Sequence, residues 1–416
     1  MVRGVNFIEA SRPQFHFTPQ RNWMNDPNGL LFYKGKYHLF FQHNPNGPLW
    51  GDMSWGHAVS TDLFHWQEKP VALPFFPTAG IFSGSAVVDY SNSSGFGTEE
   101  NPPLVAIFTM HQNDQSNQSQ CLAYSNDEGD TWTYYDNNPV LDLQMSDFRD
   151  PKVWRDETNN RWMMVVVKPK EYKACFYTSS DLKSWTLLSE FGPQGATGGC
   201  WECPDLFPLT TSTSETKWIL IISINPGGPN GGSATQYFIG DWDGTSFTPD
   251  DDQTRWIDQG FDNYAGVTFN NVEDRRIFIG WMSNWDYVNE VVKSGRINAM
   301  TLPRELTLEK INNQFALIQK PVREFSAIHH EVTMSSTENS SIELRDSKNQ
   351  SATITYSPSD GVLTIDRTNA WLQTESQLIH HIEWNSPIFT LIVDGGAIEL
   401  FSHDHTKVVT DLTLLI

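Results

Sequence analysis

The chain contains no run of ~18 apolar residues, so no segment of it reads as a membrane-spanning helix. Its first ten residues also lack the apolar core of a signal peptide. Cysteine is scarce, with Cys121, Cys175, Cys200 and Cys203 the only four in 416 residues. So few exclude a disulfide scaffold. Cys200 and Cys203 have CxxC spacing, but no second pair completes a zinc site, so no metal is expected. Basic residues are short as well: 28 Lys and Arg face 50 Asp and Glu, a formal net charge of −22. That field repels nucleic acid and anionic membrane surfaces and favours a neutral or cationic ligand. Helical periodicity of normal length is missing throughout.

Aromatic residues are abundant, at 13% with 16 Trp, and so are Gly and Pro, at 28 and 23. This composition points to an all-β protein with many turns. The length exceeds what one core usually serves and predicts a large domain with a smaller companion. Four Asn-x-Ser/Thr sequons, at Asn92, Asn117, Asn339 and Asn349, favour a secreted glycoprotein. The expected location is extracellular, the signal segment lying outside this sequence; an intracellular protein is the alternative.

A pattern recurs along the first three quarters of the chain. Leu30–Tyr33 and Tyr37–Gln42 flank a Lys-Gly-Lys turn and read as a hairpin. The unit closes with Ser60-Thr61-Asp62-Leu63-Phe64-His65-Trp66. Ser179-Ser180-Asp181-Leu182-Lys183-Ser184-Trp185 is a near copy. Looser copies run from Ser125 to Trp132 and from Asp241 to Phe247. With the strand-like run at 276–285, these predict a five-bladed β-propeller over residues 1–320. Beyond Lys320-Pro321 the pattern changes to two-faced alternation, as in Ser341–Arg345, Ala352–Tyr356 and Phe389–Asp394, which suits a β-sandwich over 325–416.

Three acids stand in unusual settings: Asp26 in Asn25-Asp26-Pro27-Asn28-Gly29, Asp150 in Arg149-Asp150-Pro151, and Glu202 in Trp201-Glu202-Cys203-Pro204. Taken singly, the first is a polar β-turn and the second a local Arg–Asp ion pair. Together they precede the closing aromatics Trp66, Trp185 and Phe247 by 40, 35 and 45 residues. Such positions converge if each blade begins nearest the axis. Three acids in one aromatic-lined pocket suit glycoside hydrolysis. One carboxylate attacks the sugar, one protonates the leaving oxygen, and one binds hydroxyls as charge develops. Trp23, Trp50, Trp201 and Trp285 are candidate sugar-stacking faces, against core packing as the plainer role of any one of them.

The stretches Trp23–Gly29, Phe148–Pro151 and Trp201–Pro204 resemble the three signature motifs of glycoside hydrolase family 32, the invertases, exo-inulinases and levanases. Phe82-Ser83-Gly84-Ser85 and Gly280-Trp281-Met282-Ser283-Asn284-Trp285 resemble two further family motifs. The resemblance implies a five-bladed propeller followed by a sandwich, a retaining mechanism, and no metal or organic cofactor. It implies Asp26 as nucleophile, Glu202 as acid and then base, and Asp150 as transition-state stabiliser held by Arg149. Asn25, Gln42, Trp50, Ser83 and Trp285 match positions that line the terminal-fructose subsite, and Phe82 is expected to pack there too. Those roles require Glu202 protonated and Asp26 ionised at the start, hence an acidic optimum. The motif around Glu202 and the one ending at Trp285 are more like exo-inulinases and levanases than yeast-type invertases. An exo-acting β-fructosidase on inulin, levan and sucrose is the expectation. Its alternatives are a mainly sucrose-directed invertase, a fructosyltransferase and a non-catalytic carbohydrate-binding propeller.

Two departures from the family pattern stand out. Lys293-Ser294-Gly295-Arg296-Ile297 replaces the usual Pro-Trp-Arg-Ser stretch, keeping the Arg alone. The C-terminal module reads as shortened between about 325 and 355, short of one or two strands.

Overall fold

The computed structural model describes residues 12–295, 298–325, 330–371 and 378–413, and nearly all of their regular structure is β-strand. Arg296 and Ile297 lie outside the described residues. One short α-helix departs from the strand-only expectation, Val288–Lys293, whose Val288, Val291 and Val292 are buried. Six residues are too few to register as a periodic pattern.

Five antiparallel sheets follow one another along the chain. Their first strands are Trp23–Tyr33, Ala79–Val88, Arg149–Asp156, Cys200–Thr210 and Tyr264–Thr268. In each sheet four strands pair in chain order along the main path. The first strands touch one another cyclically, the fifth returning to the first. Leu31 and Asn270 form a parallel bridge there, with Asn270 N–H donating to Leu30 O at 2.9 Å. Asn270 Nδ2 reaches the carbonyls of Ala86 and Val153, tying three sheets together at one end. The predicted hairpin is present, Tyr33 pairing with Lys36.

The recurring Asp/Trp segments all join the third strand of a sheet to its fourth. Leu63 and Leu182 adopt φ of 65°, and the indole N–H of Trp66 and Trp185 donates to Leu63 O and Leu182 O, both at 3.0 Å. Trp132 repeats the bond to Gly129 O at 3.1 Å. Each Asp side chain accepts from the backbone of its own turn, as Asp62 does from Phe64 and His65.

The remaining strands form two further sheets. One comprises His330–Thr333, Ile388–Asp394, Ala397–Ser402 and Val408–Leu412; the other Ser340–Arg345, Ser351–Ser357, Val362–Asp366 and Ile379–Glu383. The alternation seen in the sequence is the burial alternation of these strands, with Ile354 and Ile365 of one sheet sharing a core with Phe389 and Leu400 of the other. Among the described residues these two sheets hold eight strands.

Charged groups are buried where these two sheets meet the first five. Arg304 Nη2 contacts Asp258 Oδ2 at 2.8 Å and Glu399 Oε2 at 3.1 Å. Arg367 Nη1 contacts Asp262 Oδ2 at 3.0 Å and lies over the rings of Phe261 and Trp371. His16 bridges Asp394 at 2.8 Å and Glu399 at 3.3 Å. Burial alone would lower its pKa, but the two carboxylates outweigh that and hold His16 up at about 9.

Candidate active site

All five first strands break register at the same end. Shifts fall between Met24 and Pro27, Ile81 and Gly84, Arg149 and Lys152, Glu202 and Asp205, and Tyr264 and Val267. A bulge adds an unpaired residue and re-aims its side chain. Asp150, Cys203 and Ala265, within three of these bulges, have φ of 65°, 46° and 54°. Pro151 and Pro204 sit in the bulges too, where proline, lacking an N–H, disturbs no ladder bond, and Pro27 closes the bulge of the first strand opposite Phe41. The Asp26 motif is therefore part of an inner strand, Trp23–Tyr33, and not a β-turn ahead of one. Gly84 allows the second strand its approach: a Cβ there would stand 2.1 Å from Ile107 O.

The bulges direct their side chains into one cavity of about 210 Å³. Asn25, Asp26, Gln42, Trp50, Phe82, Ser83, Arg149, Asp150, Glu202 and Trp285 all line it, joined by Asn225. Asp26 accepts from Asn25 Nδ2 at 2.9 Å and from Ser83 Oγ at 2.6 Å. Gln42 Nε2 donates to Ile81 O at 3.0 Å. Phe82 lies flat against His111, ring centroids 4.3 Å apart, and meets Trp50 edge-on. Trp50 is 48% exposed and forms the rim.

Two of the four candidate stacking tryptophans do not face the cavity. Trp23 and Trp201 are fully buried. Trp23 backs the wall, stacked on Trp285 at 5.8 Å, and its Nε1 fixes Asn25 Oδ1 at 2.7 Å. Trp201 packs on Phe191 and donates to Ala196 O. Trp50 and Trp285 are the two that line the pocket.

Arg149 also departs from expectation. It approaches Asp150 only at 4.0 Å. Its Nε and Nη2 instead converge on Glu202 Oε1 at 3.1 and 3.0 Å, while Nη1 binds Asp147 Oδ1 and Gln118 Oε1. Asp150 is held by the backbone: Cys203 N–H donates to its Oδ2 at 3.0 Å.

Tyr264 and Asn225 belong to the site without any sequence signal assigning them to it, and Cys203, inside the Trp201–Pro204 motif, reads in the sequence only as half of a CxxC pair. The Cys203 thiol lies 3.6 Å from Asp26 Oδ2 and 3.7 Å from Asp150 Oδ2, between the two acids. The Tyr264 hydroxyl donates a short bond to Glu202 Oε2. Asn225 pairs with Cys200, two residues before Glu202.

Three carboxyls therefore share one cavity, two of them, Glu202 and Asp150, within 4.0 Å of the Arg149 guanidinium. Burial and the charge of Glu202 raise the pKa of Asp26, against hydrogen bonds from Ser83, Asn25 and Cys203. Burial, opposed by Arg149 and reinforced by Glu202 and Asp26, pushes Asp150 up to about 7. Asp26 and Asp150 are thus both held above the ordinary carboxylate range. No group of three or more His, Cys, Asp or Glu among the described residues is arranged to hold a metal ion.

A pocket of clustered carboxyls with an aromatic rim is the equipment of a glycosidase. Residues 16–321 match the family model of the Glycosyl hydrolases family 32 N-terminal domain. The chain belongs to that family. It is 39% identical to a levanase of Bacillus subtilis, an alignment covering 98% of this chain and 67% of the relative. It is 46% identical to an extracellular exo-inulinase of Aspergillus ficuum over 79% of this chain and 68% of the relative. The crystal structure of exo-inulinase from Aspergillus awamori superposes with a TM-score of 0.90 at 35% identity, covering 99% of this chain and 94% of that one. A fructofuranosidase of Schwanniomyces occidentalis complexed with fructosylnystose follows at 0.88 and 35%, covering 99% and 93%.

Proposed function

We propose that this chain is a retaining β-fructosidase that removes terminal, non-reducing β-D-fructofuranosyl units from inulin, levan and sucrose. The observation that carries the reading is the convergence of Asp26, Asp150 and Glu202 on one cavity in a family 32 chain. In this reading Asp26 forms a bond to the anomeric carbon of fructose while Glu202 gives its proton to the departing oxygen. Glu202 then takes a proton from water, which displaces Asp26 and frees fructose. Asn25 and Ser83 hold the attacking carboxylate in line. Asp150 accepts hydroxyl hydrogens as the ring gains positive charge, and Trp50, Phe82, Gln42 and Trp285 enclose the sugar.

In the same proposal the five cyclic sheets are the blades of a propeller over residues 1–320. The two facing sheets of 325–416 are its sandwich partner. The levanase and exo-inulinase relatives support polymeric fructans as substrates, and the extracellular exo-inulinases support secretion.

Fructose release from sucrose, inulin and levan, followed in parallel with Asp26→Asn and Glu202→Gln, tests the reading. Each substitution should lower kcat by at least about a thousandfold with the fold retained. Undiminished release by both variants would overturn it. Accumulation of longer oligosaccharides at high sucrose would instead mark a transferase.

A further inference from the structure

The first strands that carry the catalytic cluster end at a second and larger cavity. Going from Asp150 to Trp154, or from Glu202 to Pro208, moves four to six residues along a strand, roughly 13–20 Å. Trp154 and Pro208 line a cavity of about 720 Å³ at this opposite mouth. Between the mouths the axis is filled by Lys152 and Asp205, 3.3 Å apart, and by Thr268, whose N–H and hydroxyl bind Asp205. The two cavities are therefore separate sites.

Three tryptophans dominate the far mouth: Trp154, Trp218 and Trp242. They pack on one another, with centroids 6.4 Å apart for Trp154–Trp242 and 6.2 Å for Trp218–Trp242. All three are only partly buried. The indole N–H groups of Trp23, Trp66, Trp132, Trp185 and Trp201 are bound to protein oxygens, whereas those of Trp281, Trp371 and Trp384 are buried without a partner. Among the described residues none of the three far-mouth indoles has such an acceptor.

Two guanidiniums share the lining. Arg155 lies over Trp162, and its Nη1 is buried with no acceptor. Arg276 lies over Phe207; its nearest oxygens, Thr268 Oγ1 and Phe269 O, are 3.5 Å from Nη1, and no carboxylate among the described residues is within ion-pairing distance. Asp156, Glu157 and Asp243 also line the cavity and supply acceptors, Asp156 being itself paired with Arg161 at 2.9 Å. Indole faces, free N–H donors and carboxylate acceptors in a cavity of ligand size, with little local net charge, fit a neutral polyhydroxylated molecule. An anion would also meet the field of a chain carrying −22.

We propose that this mouth is a second, non-catalytic binding site for a neutral oligosaccharide. Ring faces of Trp154, Trp218 and Trp242 stack against sugar C–H groups, and Arg155 and Arg276 donate to hydroxyl oxygens. The same chemistry would accept a stretch of fructan or an unrelated glycan.

Calorimetric titration of full-length Glu202→Gln with an inulin-type heptasaccharide, and in parallel with maltoheptaose, tests the proposal. Two sites are expected for the fructan. Adding Trp154→Ala should weaken one of them about tenfold or more and leave the other intact. If Trp154→Ala does not fold, Tyr90→Ala serves, since Tyr90 lines the same mouth and is 56% exposed. Maltoheptaose bound at one Trp154-dependent site would support a general glycan site; a Trp154-dependent site seen only with the fructan would support one tuned to substrate. A single fructan site unmoved by both far-mouth substitutions, with no maltoheptaose binding, would overturn the proposal. The readout needs no turnover, so a failed catalytic assignment would leave the Trp154-dependent site standing.

Discussion

Arg149 sets two nitrogens, Nε and Nη2, on the same oxygen of Glu202, reaching across from the third sheet to the fourth. The third nitrogen is anchored by Asp147 and Gln118, so the guanidinium plane cannot swing away. Lysine would keep the charge but lose the fork. Arg149→Lys should therefore lower kcat/KM for sucrose by at least about a hundredfold, with circular dichroism unchanged. A variant retaining a tenth of the wild-type rate would show that charge alone suffices.

Asp150→Asn should cost activity and add stability, and the gain should depend on pH. The folded protein holds the Asp150 proton up to about 7, whereas the free carboxyl loses it near 3.8. Between those values the folded state binds more protons than the unfolded one. Stability therefore falls as pH rises through this window and stays low above it. The substitution removes that loss, so its Tm advantage over wild type should be small at pH 4 and full at pH 8. An equal advantage at both would contradict the buried charge as its source.

His16 works at a higher window. It is held up at about 9 against an ordinary 6.5, so its stabilising contribution is complete below pH 6.5 and disappears as pH rises through 9. The contribution is on the order of 3 kcal/mol. Thermal unfolding of the wild type should weaken over that range. In His16→Gln the lower starting Tm should change much less.

Gly84→Ala tests the close approach beside Ser83. The added methyl would meet Ile107 O at 2.1 Å and Phe108 Cα at 2.7 Å, both backbone atoms that cannot rotate aside. A loss of about 1–3 kcal/mol in denaturant unfolding is expected. Unchanged stability would mean that the second sheet shifts without cost.

Trp50→Ala tests the rim. Nearly half of this side chain is exposed, so unfolding should change by less than about 0.5 kcal/mol. KM for sucrose should rise severalfold if the ring covers bound sugar. A normal KM would place the ring outside the subsite.

The three acids are legible because each sits in a short motif whose proline and acid types are conspicuous in one dimension. The repeat is legible for the same reason: every Asp/Trp turn satisfies its own bonds locally, and local bonds leave local residue signatures. What decides the chemistry between the acids is long-range and leaves none. Tyr264 lies 62 residues beyond Glu202 and meets it only because the first strands of the fourth and fifth sheets lie side by side. Arg149 reads as the partner of its neighbour Asp150 because adjacency is visible; its closer bonds to Glu202 cross from one sheet to the next and are not. Burial of Trp23 and Trp201 is equally hidden, since a core indole and a stacking indole have the same letter.

The buried charges at the junction bear on how the gene can be cut. Ending the chain after Phe325 would remove Glu399 and Thr410 from Arg304, and Arg367 from Asp262. The shortened product would keep Asp258 and Asp262 on a newly wetted apolar face beside Phe261. A catalytic fragment without its C-terminal sheets should therefore precipitate or require solubilising substitutions at that face, even though none of the described residues removed lines the catalytic cavity.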